Sequence, residues 1–140
     1  MTYAELVALI EPIGYPIAWP GESNVTLPCY QLDPQGITLE DGFPIAYEVC
    51  NINSRVPMDQ NNAAQWDESR RMAYELMNVF MGGPVLFDAE IEVASDVDLE
   101  PPQIWHTMTV QFAGDPICEP AVLLIDETNA NPELVTYLIA

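Results

Sequence analysis

The chain has 140 residues, with 22 Asp and Glu against three Arg and no Lys, and a formal net charge of −19. That length fits one domain and can bury a core without disulfides or metals, and a hydrophobic content of 49% is too high for a disordered chain. The charge excludes nucleic-acid binding by counterion release, which needs clustered Lys or Arg, and disfavours an anionic membrane surface. No stretch approaches the ~20 apolar residues of a membrane span. The first eleven residues lack a basic region and carry Glu5 and Glu11, so they do not read as a signal peptide. Cys29, Cys50 and Cys118 are odd in number and have no C-x-x-C spacing. They read as small buried hydrophobes in a reducing compartment.

Thr2 and Glu5 form a capping box at the start of a short helix, and Leu6, Val7 and Ile10 follow at helical spacing. Pro12 predicts an end near Glu11. A short edge strand is expected over 15–19, and a second strand over 25–32, interrupted by Pro28. Asp33-Pro34-Gln35-Gly36 reads as a turn, and the stretch 36–44 as an exposed hairpin loop. A strand over 45–53 places Ile45, Tyr47 and Val49 on one face, with Ile52 out of phase.

The longest helix is expected over 60–81, capped by Asp59 or Asn62, with Trp66, Arg70, Ala73, Leu76, Met77 and Phe80 on one stripe. Gly82-Gly83-Pro84 stops it. The run 85–94 alternates, with Val85, Phe87, Ala89, Ile91 and Val93 to one side and Asp88, Glu90 and Glu92 to the other. An acidic turn over 96–102 leads to a second alternating strand over 104–112, where His106 shares a side with Ile104, Met108, Val110 and Phe112. The tail from Glu119 holds an apolar run, Val122 to Ile125, and a helix start at Asn131-Pro132-Glu133 before Leu134, Val135, Leu138 and Ile139. Strands joined by short turns should be antiparallel. The expected architecture is α+β: an antiparallel sheet of four to five strands, one long helix packed on one face, a short N-terminal helix and a C-terminal extension. The expected division is a domain over 1–118 and an interaction segment over 119–140.

Chemistry is sparse. Asp88, Glu90 and Glu92 fit a solvated strand face. Asp96, Asp98 and Glu100 resemble a calcium loop, but an EF-hand needs Gly and Glu where Pro101 and Thr107 stand. No P-loop, G-x-G-x-x-G or nucleophile elbow occurs. The lone His106 reads as a core residue with a satisfied hydrogen bond. The expectation is no catalytic, cofactor-binding or metal-ligating residue and no enzymatic activity.

The segments PIAW, LPCYQLDPQG, AYEVCNINSRVP and AAQWDESRRMAYELMNVF, followed by two alternating strands, resemble in order the tail terminators of long-tailed phages and related head–tail joining proteins. The likeness covers roughly Tyr3 to Phe112; this chain departs from it in lacking Lys. The resemblance implies a homohexameric virion ring that caps the tail tube, ends its polymerisation and meets the tail-tube protein and the head connector or neck, without catalysis, membrane or direct nucleic-acid contact. Arg55, Arg70 and Arg71 are the cations available to a partner, and Val122, Leu124, Leu134 and Leu138 supply an apolar interface. The alternatives are another neck or tail-tube component, or a small ligand-binding α+β domain with a site between helix and sheet, for which His106 is the one polar candidate.

Overall fold

The computed structural model describes residues 1–22, 24–39 and 46–114. Helix α1 spans Tyr3–Ile10. The Thr2 hydroxyl accepts from the Glu5 amide at 3.2 Å, and the Glu5 carboxylate accepts from the Thr2 amide at 2.8 Å, so both donors of the capping box are satisfied. A 3-10 turn over Glu11–Ile13 ends at Gly14, whose φ of 107° suits a residue without a Cβ.

Among the described residues six strands form one sheet: β1 (Ile17–Ala18), β2 (Cys29–Leu39), β3 (Ala46–Pro57), β4 (Leu86–Phe87), β5 (Glu92–Asp96) and β6 (Gln103–Ala113). The order is β1-β2-β3-β6-β4, with β5 also paired to β6. Most pairs are antiparallel, but β1 runs parallel to β2, with Ile17 opposite Tyr30, against the expectation from short turns. The sheet has six strands rather than four to five because the run over 85–94 is split. Phe87 pairs with Val110 and Glu92 with Thr107, so the edge carries two more residues than β6 between those points and bulges outward. The clean alternation expected there fails with it: Val85 is buried, Phe87 and Ile91 are half-buried, and Val93 is 51% exposed.

The expected turn at Asp33–Gly36 is not a turn. It lies inside β2 as a register shift between Pro34 and Gly36. Pro34 has no amide to give the ladder, and Gly36 supplies a φ of 132°. The chain then continues paired, with Ile37 opposite Glu48 and Leu39 opposite Ala46. The expected loop over 36–44 is therefore strand as far as Leu39; the rest of it lies outside the described residues. β3 is flanked by β6 from Tyr47 onward, and Leu39 and Ala46 form the described pair beyond the end of β6.

Helix α2 spans Ala63–Phe80, capped by Asn62, whose side-chain oxygen accepts from the Gln65 amide at 3.2 Å. Both helices pack on one sheet face. The buried residues of α2 are Ser69, Met72, Ala73, Leu76 and Phe80. The expected stripe is thus rotated: Arg70 is exposed, Trp66 and Met77 are half-buried, and Ser69 and Met72 take the centre. Strand β3 keeps Tyr47 and Val49 on one face, as expected. Cys50, Ile52, Ser54 and Val56 are buried under the helices, while Tyr47 and Val49 lie on the other face. Ile52 keeps the pattern it seemed to break.

Around these elements Leu6, Ile10, Tyr30, Leu32, Met72, Leu76, Phe80, Ile104, Met108 and Phe112 close a continuous core. The Tyr30 hydroxyl donates to the Met72 carbonyl at 2.8 Å, tying sheet to helix inside it. Cys29 and Cys50 are buried and unbridged, and burial pushes both thiols up to about 11, so they stay protonated near neutral pH. Cys118 and the extension from Glu119 onward lie outside the described residues.

Candidate functional site

Among the described residues two polar constellations occur, one on each side of the sheet. On the face away from the helices, alternate residues of β2, β3 and β6 are brought side by side by the register: Gln31 opposite Asn53, Asn53 opposite Thr107, Asn51 opposite Thr109 and Arg55 opposite Trp105. Their side chains form a ladder. Thr107 and Thr109 donate to the side-chain oxygens of Asn53 and Asn51 at 2.7 and 2.8 Å. The Gln31 oxygen accepts from Asn53 at 3.2 Å and from Arg55 Nε at 2.7 Å. Arg55 also donates to Gln103 at 2.8 Å and stacks 4.2 Å above the Trp105 ring. Arg55 is therefore a half-buried member of its own subunit's network, with two of its donors going to two different glutamines.

On the helix side, Ser69 and His106 meet between α2 and β6. The Ser69 hydroxyl lies 2.7 Å from the Ser54 carbonyl and 2.8 Å from His106 Nδ1. A carbonyl can only accept, so the single hydroxyl proton goes to Ser54, and Nδ1 must be the donor to Ser69. That assignment sets His106 as the Nδ1–H tautomer and leaves Nε2 as an acceptor. In this arrangement the Ser69 proton is directed to the Ser54 carbonyl and not to the imidazole. Burial, and then the Arg70 charge, lower the His106 pKa from its ordinary 6.5, so the ring is neutral near pH 7.

His106 opens onto a cleft of about 300 Å³ between α2 and the β4–β5 edge, lined by Arg70, Ala73, Tyr74, Met77, Ala89, Ile91 and His106. Its walls are mainly aliphatic. Arg70 lies at the mouth, 5.4 Å from the Tyr74 ring and 3.7 Å from Asp67 in a well-exposed pair. The bulge between β4 and β5 makes the opening, since Ala89 belongs to its extra length and Ile91 to its far side.

Of the residues singled out from sequence, Arg70 and His106 come together in this cleft. Arg71 is exposed on α2, and Arg55 lies on the opposite face of the sheet. Val122, Leu124, Leu134 and Leu138 lie outside the described residues. Sequence reading missed Ser69, Tyr74 and the whole polar ladder. The ladder had a signal, Asn51-x-Asn53-x-Arg55 facing Trp105-x-Thr107-x-Thr109 at a period of two, but its meaning depends on register. Among the described residues no group of three His, Cys, Asp or Glu side chains could hold a metal ion, and no helix is long and apolar enough to cross a membrane. Compared with known proteins, the chain matches no family model and no curated sequence.

Proposed function

We propose that this chain is a structural protein of a phage virion. Six copies form a ring that caps the tail tube, ends its polymerisation and joins the tail to the head connector, with no catalytic step. Support comes from the order of segments on which the resemblance rests, with α1, the PIAW strand, the two arms of the β2–β3 hairpin, α2 and β6 following one another along the chain. The observation that carries the reading is the far part of the hairpin. Ile37 and Leu39 are 59% and 73% exposed on the paired end of β2. Two aliphatic side chains held in water there add nothing to the subunit's own core; they suit a surface completed by another molecule.

Charge fits the same role. Six copies at −19 carry −114, so a lumen they surround repels a passing DNA phosphate chain rather than gripping it. The subunits must then be held by apolar contacts strong enough to overcome their mutual repulsion.

Light scattering after gel filtration and negative-stain microscopy test the assembly, and addition of the protein to polymerising cognate tail-tube subunits tests the role. Closed rings that bind tube ends and shorten the tubes are expected. A chain that remains monomeric at micromolar concentration, or rings without effect on tube length, would overturn the reading.

A second reading has one observation in its favour: a cleft that joins a cation, a neutral imidazole acceptor and aliphatic walls has the composition of a small-molecule site. Specific shifts of the Ile91 and Met77 methyl resonances on titration with small amides would support it over the ring.

A further inference from the structure

Among the described residues no helix lies over the ladder face of the sheet, yet Asn53 at its centre is only 7% exposed. The polar groups of this face are joined to one another. The Asn51 and Asn53 oxygens accept from Thr109 and Thr107, and the Gln31 oxygen accepts from Asn53 and Arg55. Facing water, such pairing gains little, because water offers equivalent partners. Under another molecule it matters, because a polar group stripped of water without a partner is costly. The ladder has met that requirement within the subunit.

Charge sets the same face apart. The chain holds 22 Asp and Glu, yet none occurs from Gln103 to Ala113 of β6, and the neighbouring rungs hold Gln31, Asn51, Asn53 and the cation Arg55. Acids stand at the margins: Asp33 opposite Asn51, Glu92 opposite Thr107 and Asp96 opposite Gln103. An uncharged centre holding Trp and Arg inside a charged rim is the anatomy of a protein interface. Three strands of 11 to 12 residues make a face about 40 Å by about 15 Å, on the order of 600 Å². That is the same order as the ~800 Å² each partner contributes to a standard interface.

The charge distribution also selects the occupant. A basic partner would seek the acids, which this centre lacks, and nucleic acid is repelled by the whole chain. A sugar would need amide oxygens that the rungs have already engaged. A partner that is itself strongly acidic can approach only where acids are missing, and a second copy of this chain, at −19, is such a partner. We infer that the helix-free face of the sheet, centred on the ladder, packs against a second copy of this chain. The inference rests on the ring reading and names the face through which a subunit meets its neighbour; in a closed ring the neighbour presents a different surface of its own.

Adding charge to the face of the full chain tests it. Gln111 lies opposite Val49 and Leu86, and Ala94 lies opposite Trp105 and is exposed; neither belongs to the rungs. Gln111→Glu and Ala94→Glu should each weaken self-association at least ~10-fold, read by light scattering and sedimentation over a concentration series, because like charges brought together at a contact are strongly unfavourable. The uncharged Gln111→Met and Ala94→Gln should assemble as wild type does, and circular dichroism checks the fold of all four. Assembly unchanged in both Glu variants would overturn this face as the contact while leaving the ring reading intact. Thermal midpoints that fall in the Glu variants while assembly stays intact would mean that the face is covered from within its own chain, and would likewise overturn the inference. A wild type that forms dimers instead of rings, with monomeric Glu variants, would uphold the contact and sink the ring. A wild type that never assembles would sink both.

Discussion

On β3, residues one apart in sequence stand in two different environments. Cys50, Ile52, Ser54 and Val56 meet the helices and are completely buried; Asn51, Asn53 and Arg55 meet Gln31, Trp105, Thr107 and Thr109 on the face without helices. The first set is held by the removal of apolar surface from water, which is non-directional and grows with area. The second is held by hydrogen bonds between cross-strand neighbours, which are directional, modest in net energy and costly to leave half-made. The same strand is thereby fixed twice. The apolar face decides which side is inside, and the polar face penalises a slip of register, because a shift would break every rung at once.

Unequal responses to substitution should separate these two modes of holding. Phe80, 2% exposed at the end of α2, belongs to the apolar side; Phe80→Ala should cost about 3–5 kcal/mol, seen as a large fall in thermal midpoint, and an unchanged midpoint would remove it from the core. On the polar side Asn53 is 7% exposed and serves both Thr107 and Gln31. Asn53→Val alone should cost about 1–3 kcal/mol by leaving the Thr107 hydroxyl without its acceptor. Adding Thr107→Val should recover much of that loss, measured by urea denaturation. A double variant no better than the single would show that the ladder contributes more than pairwise satisfaction.

A smaller effect is expected at Asn62, whose side chain caps α2 outside either face. Asn62→Ala should cost ~1 kcal/mol, and no change would mean that water caps the helix equally well. The smallest concerns His106, the polar residue within the helix-covered face. Its pKa lies below 6.5 in the fold, from burial and then from Arg70, so the unfolded chain binds the proton more readily. Stability from the neutral ring is therefore complete above pH 6.5 and is lost as pH falls through the lower folded value. His106→Gln should remove that dependence. The stability of wild type relative to the variant should decline on acidification from neutral pH, followed by paired thermal melts that cancel the titration of the many carboxylates. A difference independent of pH would refute the burial of the imidazole.

Much of this was determined by the sequence alone. The capping box at Thr2 and Glu5 and the extent of β6 were legible, and Asn62 was one of the two caps read for α2 beside Asp59, since caps depend on a few neighbouring residues and a long alternating strand carries its own period. The α+β class followed from the same patterns, as did the place of His106 on the apolar side of β6. Tertiary structure decided the rest. A period of two in β3 defines two sets of residues without saying which one a helix will cover; α2 settled over Cys50, Ile52 and Val56 and left Tyr47 and Val49 on the other face. Asp33-Pro34-Gln35-Gly36 has turn chemistry, yet β3 alongside offered a partner strand, and the same Pro and Gly were absorbed as a bulge. The exposed end of β2 beyond it, the meeting of Ser69 with His106 and the cleft beneath Arg70 depend on register and bulge together. Both are set by residues far apart in the chain, and no local pattern contains them.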